Sequence, residues 1–144
     1  MPRWTVLAVI ASVACASAAD ETFTTCALTP LTHATQDDPP AEARLGGWWH
    51  VNEDRSLWAI ATPLAAGPRG NKVPWFRPRG AHLEVRGRRL DAQADRARIS
   101  VPCCYGGRFQ ITGMTFPSEG CWEISAKAGE SRLVFVTVVQ PPAP

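Results

Sequence analysis

The sequence contains few of the residues and motifs on which enzymes and nucleic-acid-binding proteins depend. It has three histidines, and it lacks Gly-x-Ser-x-Gly, His-Glu-x-x-His and a glycine-rich phosphate-binding loop. Its formal net charge of +2 is too small to indicate a nucleic-acid partner. His50 lies near Glu53 and Asp54, but at a predicted hairpin turn, where charged side chains are usually solvated. We therefore predict that the protein is not an enzyme and has no catalytic residues, metal or cofactor.

Long hydrophobic runs are also lacking. The longest uncharged apolar stretch, at the N-terminus, is too short to span a bilayer. Arg3 precedes an uncharged run over residues 6–14, and the small residues 16–18 follow it, as in a secretory signal. We predict a signal peptide over residues 1–18 and a secreted, periplasmic or cell-envelope protein. Residues 12–15 also resemble a loose lipobox, in which Cys15 would be acylated and would anchor the protein to a membrane.

Helical periodicity is almost absent, while thirteen prolines and eleven glycines separate short segments of strand-like sequence. Residues 82–86 alternate polar and apolar side chains, with Leu83 and Val85 on the apolar face. Residues 122–127 and 132–139 predict an antiparallel hairpin whose second strand, apolar on both faces, lies well inside a sheet. These patterns predict an all-β fold, namely an immunoglobulin-like antiparallel sandwich of about seven strands.

The mature chain divides into a polar N-terminal part and a strand-rich part. Residues 19–45 are rich in Thr, Asp and Pro and predict an extended lead-in and linker. Residues 46–140 predict the β-sandwich domain, with the segment around Cys26 tied to it. In the strand predicted at residues 108–116, we expect Phe109, Ile111 and Phe116 to point inward.

Five cysteines in so short a chain indicate an oxidising compartment. Removal or acylation of Cys15 leaves four cysteines, which allow three disulfide pairings. Cys103 and Cys104 are adjacent, so they could form a disulfide, remain free thiols or offer thiolates to a soft metal. Since neither a Cys-x-x-Cys motif nor a nearby histidine completes a site, a structural role is favoured.

Five short motifs occur in a fixed order along the mature chain. They are Cys26-Ala27-Leu28-Thr29, Leu57-Trp58, Lys72-Val73-Pro74-Trp75-Phe76-Arg77, Gly87-Arg88-Arg89-Leu90-Asp91 and the closing Phe116-Pro117-Ser118-Glu119-Gly120-Cys121-Trp122-Glu123-Ile124. Together they resemble a group of bacterial exported proteins, secreted or lipid-anchored, for which no activity is known. Members of that group start at Cys-Pro-Val-Thr and close with a Gly-Cys-Trp-Glu-Val hairpin. The resemblance spans residues 26–139 and implies a disulfide between Cys26 and Cys121, whereas Cys103 and Cys104 depart from the pattern.

Tryptophans are the strongest candidates for ligand binding, because five of them lie in the mature chain. An exposed indole ring can stack on a sugar or clamp a peptide. Trp48 and Trp49 must point to opposite faces if they share a strand, so at most one belongs to the core. Trp75, in a predicted loop, is a further candidate, although it could instead plug the end of the core, with Trp58 and Trp122 filling the interior.

Charge is distributed unevenly along the chain. Residues 20–54 contain seven acidic residues and one basic residue, whereas residues 69–108 contain ten basic and three acidic ones. Five arginines of the second region could meet an anionic lipid or polysaccharide, or form a solvated strand face: Arg86, Arg88, Arg89, Arg96 and Arg98. We predict an exported noncatalytic module that binds a polymer, peptide or protein partner. The alternatives are an accessory lipoprotein domain without a small ligand and, less favoured, a hydrolase.

Overall fold

A computed structural model describes Met1, residues 25–142 and Pro144 of the chain. The predicted signal peptide and Cys15 lie outside the described residues. Ten strands and one 3₁₀ helix, Pro39–Ala43, make up the regular structure. The strands are β1 (Thr32–His33), β2 (Trp48–Val51), β3 (Trp58–Ile60), β4 (Leu64–Ala65), β5 (Asn71–Phe76), β6 (Leu83–Arg89), β7 (Arg98–Ser100), β8 (Phe109–Thr115), β9 (Gly120–Ala128) and β10 (Ser131–Gln140). Within this part of the chain, no helix is long and apolar enough to cross a membrane.

The strands form two sheets, which confirms the all-β prediction. A six-stranded sheet has the order β1-β2-β3-β5-β8-β7, and a four-stranded sheet has the order β4-β10-β9-β6. Strand pairs are antiparallel except for the short parallel pairing of β10 with β4. The described residues contain ten strands rather than about seven, because β1 and β4 span only two residues each and β5 lies where the sequence predicted a loop. The immunoglobulin-like connectivity stays a prediction.

The main core lies between the sheets and combines apolar side chains from both. Strand β6 contributes Leu83 and Val85, as its alternating pattern predicted, while Trp75 and Phe135 meet from opposite sheets. The predicted hairpin is present as β9 and β10, which pair from Ser131 opposite Ala128 to Val139 opposite Gly120. Burying this many large side chains supplies the main stabilisation of the domain, at about 25 cal/mol per Å² of apolar surface.

Strand β8 presents the opposite face to the one predicted. Gln110, Thr112 and Met114 are buried towards the interior, whereas Phe109 and Ile111 lie on the outer side of the sheet and are only half-buried. The prediction is therefore wrong for Phe109 and Ile111 and confirmed for Phe116, which is buried in the main core. Gln110 and Thr112 can occupy the inner face because each accepts a hydrogen bond there, from Arg77 and Trp75 respectively.

A second cluster of buried residues covers the outer face of the six-stranded sheet. It consists of Ala34, Trp49, Trp58 and Phe76. Strand register places these rings on one face, since Trp58 is opposite Phe76 and Trp49 is opposite Ile60. Trp58 therefore lies outside the sandwich interior that the sequence suggested for it. The segment that covers the cluster comes from residues predicted as a linker, and β1 within it pairs with β2. The domain boundaries themselves stay predictions.

The start of the described chain is fastened to the four-stranded sheet. Cys26 is bonded to Cys121 of β9, with the two Cα atoms 5.5 Å apart. Thr29 then binds the backbone of β10 twice, donating its N–H to the Val136 carbonyl at 3.1 Å and accepting the Val136 N–H on Oγ1 at 2.8 Å. These contacts carry the chain from the four-stranded sheet to β1 in the other sheet. The disulfides indicate an oxidising, extracytoplasmic environment.

Candidate functional site

The three tryptophans predicted as ligand-binding residues differ sharply in exposure. Trp48 is 55% exposed, whereas Trp49 and Trp75 have no accessible surface. Trp49 packs in the second cluster, edge-on to Trp58 and Phe76. Trp75 lies in the main core and donates its indole N–H to Thr112 Oγ1 at 2.9 Å. Neither buried ring can reach a ligand, so Trp48 alone of the three can act as a stacking surface.

Trp48 is connected through His33 to a hollow near β1 and the 3₁₀ helix. Its ring packs edge-on against His33, its register partner in β1, with ring centroids 5.2 Å apart. His33 also lines the hollow, which measures about 510 Å³. The other lining residues are Ala34, Thr35, Gln36, Ala41, Arg44, Leu45 and Gly46. His33 thus connects an exposed aromatic ring, which does not itself line the hollow, to a concavity with both apolar walls and polar side chains.

The walls of the hollow are held by local hydrogen bonds around the 3₁₀ helix. Arg44 adopts a left-handed conformation, φ 55°, and its N–H donates to the Ala41 carbonyl at 2.9 Å. Leu45 N–H donates to the Pro40 carbonyl at 3.1 Å, and Ala34 N–H to the Gly47 carbonyl at 3.2 Å. The polar side chains of the hollow are therefore mounted on a backbone with defined geometry.

Asp38 anchors this segment to the sheet. Its carboxylate accepts from Thr35 N–H at 2.8 Å and from both Nε and Nη2 of Arg55 at 3.2 and 2.7 Å. Burial by itself would raise the pKa of Asp38, but the hydrogen bonds from Thr35 and Arg55 hold the pKa below its usual value. The Arg55 guanidinium also lies 4.7 Å from the Trp58 ring centroid. This network ties the wall of the hollow to the second cluster.

His50 belongs to the interior rather than to a solvated turn. It is buried in β2 and stacks on Phe135 of the opposite sheet. Burial lowers the pKa of His50 to about 4, and its Nδ1 has no hydrogen-bond partner among the described residues. The expectation of a solvated His50 is therefore wrong, because β2 continues to Val51 before the turn begins. Glu53 and Asp54 lie exposed in that turn, apart from the buried ring.

Cys103 and Cys104 form a disulfide with each other in an exposed loop. The buried guanidinium of Arg77 holds this loop, donating to the carbonyls of Tyr105 at 2.7 Å and Gly107 at 3.3 Å. Arg77 Nε also donates to Gln110 Oε1 at 2.6 Å. Over residues 25–142, no group of three His, Cys, Asp or Glu side chains is arranged to hold a metal ion.

Sequence reasoning missed the hollow and its polar residues. His33, Gln36 and Arg44 lie in a stretch without periodicity, and no local motif marks them. Their proximity depends on the packing of this stretch over Trp49 and Trp58, which is a long-range contact. The exposure of one member of the Trp48-Trp49 pair was the only signal that pointed to this region.

Comparisons with known proteins provide a likeness in fold. No family model and no curated protein matches the chain in sequence. The crystal structure of a proposed lipoprotein from Bacillus anthracis is similar, with a TM-score of 0.52 and 13% sequence identity. The similar region covers 87% of this chain and 98% of that one. At this identity the likeness concerns the fold alone, and the motif resemblance to exported proteins stays a prediction.

Proposed function

We propose that this protein is an exported, noncatalytic β-sandwich module that binds a saccharide at the hollow beside Trp48. The observation that carries the proposal is the 55% exposure of Trp48, whose ring contacts His33, a residue that lines a concavity of about 510 Å³. Large aromatic side chains are usually covered, so an exposed indole in contact with a residue of a concavity favours a binding role.

The chemistry around Trp48 suits a sugar ring. The apolar C–H face of a sugar can stack on the indole, and Leu45 and Ala34 supply apolar surface within the hollow. Gln36, Thr35 and Arg44 offer donors and acceptors for hydroxyl groups. A peptide or protein partner would be held by the same indole, but it would use fewer of these closely spaced polar groups.

The export part of the proposal is supported by the leader-like sequence and by the two disulfides. Acylation of Cys15 would tether the module to a membrane, and cleavage after Ala18 would release it. Mass spectrometry of the mature N-terminus distinguishes these two forms, because only an acylated chain would begin at Cys15.

Tryptophan fluorescence tests the site directly. Titration with a panel of cell-envelope oligosaccharides should shift the emission of the wild-type protein, since Trp48 is the exposed indole among the described tryptophans. Trp48→Phe should abolish the shift, and Arg44→Ala should weaken binding without removing the fluorescence signal. Val134→Ala is the matched control, because Val134 is 56% exposed but lies outside the hollow.

The same panel separates the competing functions. A fluorescence response to peptides but not to saccharides would show that the ligand is a peptide. If no compound in the panel changes the fluorescence, the accessory domain without a small ligand is the function that remains. Turnover of any glycan or peptide in the panel would contradict the noncatalytic part of the proposal. Mapping that turnover with His50→Phe would then test whether the buried histidine contributes.

A further inference from the structure

A belt of exposed basic side chains lies on the surface away from the hollow. It comprises Arg69, Lys72, Arg86, Arg88, Arg96, Arg98, Lys127 and Arg132. All eight side chains are exposed. Three acidic residues, Glu84, Asp95 and Glu123, line the same surface, so that the basic belt carries a net charge of +5.

The basic belt is continuous because its members line four shallow depressions that share residues. The depressions can be numbered from the outer face of the four-stranded sheet towards the six-stranded sheet. Arg86 and Ser125 line both the first and the second depression, and Arg96 lines both the second and the third. Arg98 and Thr115 connect the third to the fourth. A chain-like ligand could therefore contact the four depressions one after another.

The path of the basic belt passes from one sheet to the other. It begins on the outer face of the four-stranded sheet, where Arg132 and Lys127 are register partners. At the edge of the sandwich, Ala97 N–H donates to the Gly87 carbonyl at 3.1 Å, joining the segment before β7 to β6. The belt ends on the outer face of the six-stranded sheet, where Lys72 lies opposite Gly113.

Gly113 leaves the floor of this last depression open. It has no side chain, and its register partners Lys72 and Ser100 stand on either side of it. A Cβ atom added at Gly113 would contact only Ser100 Cβ, at 3.6 Å. The result is a trough with a basic side chain on one wall and a hydroxyl group on the other.

Most of the positive charge on the basic belt is not neutralised within the described part of the chain. Of the eight side chains, only Arg88 forms an ion pair there, with Glu123 at 2.7 Å. The nearby Arg89 lies outside the belt and is paired with Asp91 at 2.7 Å. Asp38 and Glu42 of the N-terminal segment lie elsewhere and pair with Arg55 and Arg108. The basic belt thus presents unpaired charge to an external partner.

We propose that the basic belt binds a linear polyanion, a polymer with repeating phosphate or carboxylate groups, along a path around the edge of the sandwich. Arginine suits both anions because its planar guanidinium can form two parallel hydrogen bonds to either group. A flat anionic membrane could contact the basic side chains of only one face at a time. A flexible chain can contact both faces together, and this is the arrangement that the basic belt provides.

Binding of inorganic polyphosphate and poly-glutamate to the purified protein tests this proposal. Lys72→Gln and Arg132→Gln remove charge from opposite faces, and each should weaken binding about fivefold at low salt, the effect of one basic residue at an anionic surface. Arg79→Gln is the matched control, since Arg79 is exposed but lies outside the belt, and it should leave affinity unchanged. Raised salt should weaken wild-type binding steeply.

Several results would overturn the proposal. If only one of Lys72→Gln and Arg132→Gln weakens polyanion binding, the polymer contacts a single face of the sandwich. Anionic phospholipid vesicles that bind as tightly as the polymers would indicate a membrane contact instead. Short oligomers that bind as well as long chains would contradict a path around the edge. Trp48→Phe should leave polyanion binding intact, so the saccharide proposal and the polyanion proposal can fail independently.

Discussion

His50 and Phe135 stack face to face across the interior, with ring centroids 3.9 Å apart and ring planes 11° apart. His50 belongs to β2 of the six-stranded sheet and Phe135 to β10 of the four-stranded sheet. The contact therefore joins the two layers of the sandwich with a titratable ring. Because burial disfavours the charged imidazolium, the pKa of His50 falls to about 4.

This burial predicts a dependence of stability on pH. In the unfolded chain His50 takes up a proton near the ordinary histidine pKa of 6.5, whereas in the folded protein it stays neutral down to about 4. The unfolded state therefore binds more protons in this window, and stability falls as the pH falls from about 6.5 towards 4. The free energy of unfolding in urea should decrease by about 2 kcal/mol between pH 7.5 and pH 5.

Two variants test whether His50 causes this pH dependence of stability. His50→Phe keeps an aromatic ring on Phe135 but cannot be protonated, so its free energy of unfolding should be nearly constant over this pH range. His82→Gln removes an exposed histidine and should keep the wild-type dependence. An unchanged pH dependence in His50→Phe would show that another group is responsible.

Arg77 is predicted to stabilise the loop that carries Cys103 and Cys104. Its buried guanidinium donates to Gln110 Oε1 and to two loop carbonyls. Arg77→Met would leave these acceptors without donors, and we expect a loss of about 3 kcal/mol in the free energy of unfolding. Arg79→Met, at an exposed position two residues away, should change stability little. Equal effects of the two substitutions in urea unfolding would contradict the proposed role of Arg77.

Arg77 also explains why the sequence pattern of β8 predicted the wrong face. Alternation of polar and apolar residues correctly predicted the buried face of β6, where every second residue is polar and exposed. It also correctly predicted the β9–β10 hairpin. In β8 the polar residues Gln110 and Thr112 face the interior because Arg77 and Trp75 donate hydrogen bonds to them. A rule that assigns apolar residues to the inside therefore selects the wrong face. The polar partners come from β5 and the residue that follows it, and sequence order does not reveal them.

The candidate site was predictable only in part for a similar reason. Adjacent residues in a strand face opposite sides, so one of Trp48 and Trp49 had to be outside the main core. Trp49 is nevertheless buried, because the segment after β1 covers it on the outer face of the sheet. The irregular sequence of that segment contains no pattern that predicts this packing, and the hollow forms only as a consequence of it.

Gly87 is predicted to be essential for packing between β6 and the segment before β7. A Cβ atom at this position would lie 2.9 Å from Ala97 Cβ and 3.2 Å from Ile124 Cδ1. Gly87→Ala should therefore destabilise the protein by about 1–3 kcal/mol, as expected for overpacking. Gly113→Ala is the matched control in β8, since its Cβ would make an ordinary contact at 3.6 Å. Comparable melting temperatures for the two variants would contradict this account.

The two disulfides should differ in their contribution to stability because they close very different loops. Cys26 and Cys121 are 95 residues apart, whereas Cys103 and Cys104 are neighbours and close no chain loop. In the chain-entropy model, Cys26→Ser with Cys121→Ser should lower the free energy of unfolding by about 4–5 kcal/mol. Cys103→Ser with Cys104→Ser provides the control and should cost far less. Urea unfolding of both double variants under non-reducing conditions measures the difference. Similar losses would mean that the Cys26–Cys121 bond does not act by restricting the unfolded chain.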